Sequence, residues 1–215
     1  MTASTPDAHD TAHDTAHDAH DTAVHERHAR SSPTRDVALV AAFGALICAS
    51  AYIGAVPVGS AGVPITLQTL TVMLAGCVLG PLRGFSAVML YLALGAVGLP
   101  VFAEHSSGIG VFSGPSGGYL VAFPLAAALA GFLVEYVARD RRTRAIVVFA
   151  CSFTASALVI HVLGILGMMR FFDISFAEAA AYDAPFWIGD VVKTSLVAMI
   201  AAEVHRAFPQ LLQRD

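Results

Sequence analysis

The sequence predicts an all-α integral membrane protein with six transmembrane helices and both termini cytoplasmic. Of 215 residues, 56% are hydrophobic and only 13% charged, whereas about a quarter of a soluble domain is charged. The mean hydropathy is +0.69. Apolar segments long enough to approach a bilayer crossing recur from Val37 onward, separated by turn or charge signals. The basic residues are then distributed unequally over the two sides of such a bundle.

Residues 1–35 form a separate region. Ala-His-Asp-Thr recurs there, and His9, His13, His17, His20, His25 and His28 alternate with Asp7, Asp10, Asp14, Asp18 and Asp21. With almost nothing apolar to bury, such a segment does not offset its chain entropy, so a disordered cytoplasmic tail is expected. It lacks the basic n-region and apolar h-region of a signal peptide. Histidines three and four apart would share one side of a helix around Zn or Ni, which leaves metal chelation as an alternative to a solvated tail.

The membrane domain is expected over residues 36–208, with a short cytoplasmic tail at 209–215. Its apolar segments are Val37 to Val56, Ile65 to Gly80, Gly84 to Leu99, Gly117 to Ala138, Ala145 to Met169, and Ala184 to about Val204. The second and third are shorter than the roughly 20 residues of a full crossing, which suits tilted helices or one re-entrant hairpin around Gly80-Pro81-Leu82-Arg83. Charge favours two crossings. Six crossings put Arg27, Arg30, Arg35, Arg83, Arg139, Arg141, Arg142, Arg144, Arg206 and Arg214 inside and only Arg170 outside, so ten of the twelve Lys and Arg share the cytoplasmic side.

In the first helix, Ala38 and Ala42 form one stripe and Ala41, Ala45 and Ala49 an adjacent one. Small residues four apart let another helix approach closely in lipid. Packing within the bundle and docking of another membrane subunit are both open readings.

Lys193, the single lysine, stands three residues after Asp190 in the last apolar segment. A charge near the bilayer centre costs about 2.5–3.5 kcal/mol on insertion scales, so such groups face a bundle interior and mark a substrate or ion path. At i,i+3 the two side chains are neighbours that neutralise one another when empty and are available to a polar ligand. A structural ion pair is the plainer alternative. In the second segment Thr66, Gln68 and Thr69 interrupt an apolar run, and Gln68 offers donors and an acceptor suited to an amide or urea, or to an interhelical hydrogen bond.

The connection from Leu99 to Leu120 carries glycines at 108, 110, 114, 117 and 118, a backbone able to turn sharply and approach a ligand. It has no Gly-Lys-Ser/Thr ending, nor does the rest of the chain, so an ATPase would have to be another polypeptide. His161 stands alone in the fifth segment without a metal-binding or nucleophile motif, which argues for a packed or hydrogen-bonded residue and against an enzyme. Cys48, Cys77 and Cys151 are scattered through apolar segments as small hydrophobes. The net charge of −4 arises largely in the tail and points to neither nucleic acid nor an acidic substrate.

Four blocks taken in order, Val63-Pro-Ile-Thr-Leu-Gln-Thr-Leu, Gly98-Leu-Pro-Val-Phe-Ala, Gly114-Pro-Ser-Gly-Gly-Tyr-Leu and Gly189-Asp-Val-Val-Lys, resemble the signature blocks of the BioY family, the biotin-binding S components of energy-coupling factor (ECF) transporters. The resemblance runs from about Asp36 to Phe208. It implies the S-component fold, with biotin held near the extracellular side under the loop between helices 3 and 4. It implies ligand contacts for Asp190 and Lys193, with Thr66, Gln68, Gly117, Gly118, Tyr119 and Trp187 completing the site. Biotin's carboxylate suits Lys193, and its ureido N–H groups suit Asp190 or the Gln68 carbonyl. The stripe Ala38, Ala41, Ala42, Ala45 and Ala49 resembles the motif by which S components dock on a transmembrane coupling subunit that carries the ATPases. Glu104-His105 and Ile188 depart from the family pattern, as does the His-rich tail.

The sequence therefore supports a multi-pass plasma-membrane subunit that captures biotin, without a cofactor or resident metal, and partners with ECF coupling and ATPase subunits. The alternatives are a stand-alone secondary carrier coupled to titration of Asp190 and Lys193, and a divalent-metal transporter suggested by the tail.

Overall fold

The computed structural model describes residues 33–53, 55–56, 62–141 and 143–212. The expected tail lies outside the described residues up to residue 32. Six principal helices make up the described chain: α1 (Pro33–Tyr52), α2 (Gln68–Leu79), α3 (Pro81–Ala96), α4 (Gly117–Val137), α5 (Ala145–Phe172) and α6 (Phe176–Ala207). Among the described residues, α1, α4, α5 and α6 are long and apolar enough to cross a membrane. The helices α2 and α3, of 12 and 16 residues, are shorter, as expected.

The α2–α3 corner follows from two residues. Gly80 takes φ 82°, a conformation open to a residue without Cβ, and Pro81 starts α3 where its missing N–H costs nothing. This corner packs on α4 through glycine. A Cβ on Gly76 would fall on the backbone of Ala127, and one on Gly131 would meet Gly80 and Pro81. Backbones approach closely here because dispersion, not hydrophobicity, drives helix association in lipid. The same corner buries Cys77, Val78 and Leu79, consistent with a packing role for that cysteine.

Helix α5 contains a π-helical turn over Ser156–His161, and α4 ends in another over Leu133–Val137. Helix α6 begins at Phe176, earlier than the expected Ala184. Ser175 and Glu178 form a reciprocal capping box at its start, and Pro185 is accommodated in its interior. At 32 residues and about 1.5 Å per residue, α6 exceeds the roughly 30 Å hydrocarbon core. Its first turns therefore have room to extend past the apolar slab.

One end of the bundle is tied by Arg83, which is buried. Its guanidinium lies 2.7 Å from Asp36 of α1 and donates to the Leu211 carbonyl at 3.0 Å, joining α1, α3 and the chain after α6. At the other end, Val56 and Ile65 pair in an isolated antiparallel bridge, and residues 97–116 fold over the bundle. Phe102 anchors that loop, fully buried, with its ring edge-on to Tyr91 and to Phe112. Gly95 makes room for it, since a Cβ there would overlap the ring.

Candidate ligand-binding site

Beneath this loop lies a cavity of about 250 Å3, just under the range of sites for drug-sized molecules. Phe102, Leu120, Phe123, Ile160 and Phe186 give it apolar walls. Thr66, Gln68, Thr69, His161, Asp190 and Lys193 form a polar group among them. Helix α2 contributes its first turn, α4 its start, α5 its π-turn and α6 its middle. The loop adds Glu104 and Ser106 at the cover.

Asp190 and Lys193 are 3% and 8% exposed. The ammonium lies 2.6 Å from Asp190 Oδ1 and donates to Thr69 Oγ1 at 2.5 Å. Ser156 Oγ donates to Asp190 Oδ2 at 2.6 Å. A buried carboxylate requires such partners, because desolvation of an unpaired ion costs several kcal/mol. Lys193 has three donors and two are engaged here, so one ammonium N–H remains to meet a ligand. Gln68, buried, donates its amide N–H to the Tyr91 hydroxyl.

His161, without a motif in the sequence and expected to be packed or hydrogen-bonded, is both, with partners the sequence did not name. His161 Nδ1 lies 2.7 Å from Asp183 Oδ2, and Nε2 lies 3.3 Å from Asp190 Oδ2. Asp183 is fully buried and accepts from the Tyr119 hydroxyl at 2.6 Å and from Trp187 Nε1 at 2.8 Å. Sequence reasoning missed Asp183 because it began the last helix at Ala184. With α6 starting at Phe176, Asp183 and Asp190 are seven residues apart on one face. The capping pair Ser175 and Glu178 was the available signal.

Of the residues singled out in the sequence, Thr66, Gln68, Tyr119, Asp190 and Lys193 line the cavity. Gly117, Gly118 and Trp187 are not among its lining residues. Gly117 closes the loop onto α4, where a Cβ would meet the Phe112 carbonyl, and Gly118 faces Gly167 and Leu163 of α5. Trp187 stacks on the His161 ring with centroids 4.1 Å apart and is 37% exposed. Its indole therefore supports the polar cluster from behind. On α1, Ala38, Ala41, Ala42, Ala45 and Ala49 are all exposed, whereas Gly44, Ile47 and Ser50 face the bundle. The alanine stripes thus do not pack within the described chain.

The BioY family model matches residues 21–210. The chain belongs to the BioY family. Among its relatives in that family, the biotin transporter BioY of Rhodobacter capsulatus is 40% identical over 188 residues, covering 83% of this chain and 97% of the relative. The corresponding protein of Rhizobium etli is 33% identical over 184 residues, covering 84% and 98%. The probable biotin transporter BioY of Pyrococcus horikoshii is 40% identical over 175 residues, covering 80% and 96%. The crystal structure of the S-component for biotin from an ECF-type ABC transporter superposes with a TM-score of 0.77 at 26% identity, covering 82% of this chain and 95% of that one. As a BioY-family member with an S-component neighbour and several long apolar helices, the chain is a membrane protein of the transporter type.

Proposed function

We propose that this chain captures biotin as the S component of an ECF-type transporter in the plasma membrane. The observation that carries this reading is the buried Asp190–Lys193 pair set in an otherwise largely apolar cavity beneath the loop, within a family whose relatives are biotin transporters. Biotin combines a carboxylate, a ureido ring and an apolar bicyclic body with a flexible chain. The cavity offers an ammonium and a carboxylate, an amide at Gln68, hydroxyls at Thr66 and Tyr119, and aromatic walls. Gly117, Gly118 and Trp187 act by holding the loop, the α4–α5 contact and the His161 ring in place.

The six helices all cross the bilayer, with both termini cytoplasmic, residues 1–35 and 209–215 as tails and 36–208 as the membrane domain. Arg83 and the Arg139–Arg144 cluster then face the cytoplasm, and the covered cavity faces outside. Without a phosphate-binding loop, the chain depends on separate ATPases reached through a transmembrane coupling subunit. The exposed alanine stripe of α1 is the surface offered to that subunit, since small side chains permit close helix contact. No cofactor takes part.

Calorimetric titration of the purified, detergent-solubilised chain with biotin, after removal of endogenous ligand, tests the reading. Saturable one-to-one binding is expected, and no heat from a folded sample at several temperatures would overturn it. The likeness to an S-component disfavours a stand-alone secondary carrier. Biotin uptake by proteoliposomes of this chain alone, driven by a pH gradient without ATP, would reverse that preference. A divalent-metal transporter working through the His-rich tail would lose uptake when residues 1–35 are deleted, and intact transport after that deletion would eliminate it.

A further inference from the structure

The π-turn of α5 places His161 on the wall of the cavity, buried to 2% exposure, and its Nε2 has no hydrogen-bond partner among the described residues. Buried polar nitrogens are seldom left so, and one that lines a cavity is provision for a ligand. The other ring nitrogen determines what Nε2 offers. An indole N–H can only donate, so Asp183 Oδ2, which takes the Trp187 N–H at 2.8 Å, is an acceptor. The same oxygen therefore takes the proton of His161 Nδ1 at 2.7 Å. With Nδ1–H so committed, Nε2 of the neutral tautomer is an acceptor. Asp190 Oδ2, also an acceptor, stands 3.3 Å away and already receives the Ser156 hydroxyl. In that tautomer two acceptors stand side by side and call for a donor between them.

We propose that His161 is a ligand-recognition residue which binds in its neutral form, and that its Nε2, oriented by Asp183, accepts a hydrogen bond from an N–H of the bound solute beside Asp190. The inference rests on the proposed biotin reading. Biotin's N–H groups are those of the ureido ring, so this contact turns the ureido end toward α5 and α6. Stacking of the imidazole on Trp187 at 4.1 Å and its bond to Asp183 fix the ring plane before the ligand arrives. A preoriented acceptor selects for a donor at one position, because a ligand lacking that N–H leaves Nε2 buried and unpaired.

The test is a thermodynamic cycle on the full-length chain in detergent, using biotin and its two mono-N-methylated ureido analogues. His161→Asn keeps an amide N–H near the Nδ1 position for Asp183 and removes Nε2. It is expected to weaken biotin by about 10- to 100-fold, yet to bind one N-methyl analogue as the unsubstituted chain does, because that contact is already missing. His161→Gln, whose carbonyl reaches toward the Nε2 position, is expected to recover part of the loss. In the unsubstituted chain labelled with 15N-histidine, the His161 Nε2 resonance is expected to move on adding biotin while Nδ1 stays in place; this reading needs no folded variant. The inference is overturned if biotin binds the Asn variant within about 3-fold of the original affinity, if all three ligands weaken equally, or if Nε2 does not respond to biotin. Failure of the unsubstituted chain to bind biotin would overturn the biotin reading itself, and with it this inference.

Discussion

Lys193 Nζ sits 2.6 Å from Asp190 Oδ1, one turn away on α6, and both side chains are almost completely removed from solvent. A pair so placed contributes little net stability, because desolvating both ions offsets most of their attraction, but removing either partner strands the other. Lys193→Met is therefore expected to lower thermal stability in detergent by about 3–5 kcal/mol and to reduce biotin affinity at least 100-fold. Adding Asp190→Asn to that variant should return much of the stability and none of the binding. Parallel recovery of both properties would mean that the pair holds the fold and does not contact the ligand.

The exposed stripe of α1 predicts a separation of binding from transport. Ala41→Leu and Ala45→Leu project into no neighbour within the described chain, since both positions are exposed. Biotin affinity of the purified variants should remain within about 2-fold of the original, while uptake by cells carrying the complete transporter should be abolished. Equal loss of affinity and uptake would locate these alanines in the fold and not at an interface.

Arg83 gives a prediction about stability alone. Its guanidinium serves Asp36 and the Leu211 carbonyl at the end of the bundle away from the cavity. Arg83→Gln should cost about 2–4 kcal/mol in thermal unfolding, through a half-buried carboxylate without its cation and a carbonyl without its donor. Biotin affinity measured on the folded fraction should be unchanged. A large loss of affinity would connect the two ends of the molecule.

The glycines of the 99–120 connection fall into two groups. Gly118 packs backbone to backbone with Gly167, so Gly118→Ala must push α4 and α5 apart and should cost about 1–3 kcal/mol. Gly110 has open space around a built Cβ, so Gly110→Ala should leave stability and biotin binding within about 0.5 kcal/mol. Thermal unfolding and calorimetry on the pair of variants check this contrast. Weaker binding in Gly118→Ala at undiminished stability would contradict a packing role.

Several features were legible in the chain because they depend on local pattern. The apolar segments located the six principal helices of the described residues, four of them long and apolar enough to cross a membrane. The i,i+3 spacing of Asp190 and Lys193 required one shared face whatever the bundle around it. The four ordered sequence blocks pointed to the family that the comparison then supplied.

What only tertiary structure decided was the company those residues keep. His161 and Asp183 are 22 residues apart and meet because α5 and α6 pack side by side around a π-turn, which apolar periodicity does not reveal. Nothing in the local pattern singles out Phe102, yet it anchors the cover because α3 leaves a gap at Gly95. The family resemblance implies ligand contacts for both Trp187 and Tyr119; the indole stacks on His161 while Tyr119 lines the cavity. Periodicity along one helix fixes which residues share a face. Which face meets the cavity depends on how neighbouring helices pack and rotate, an energy summed over side chains far apart in the chain.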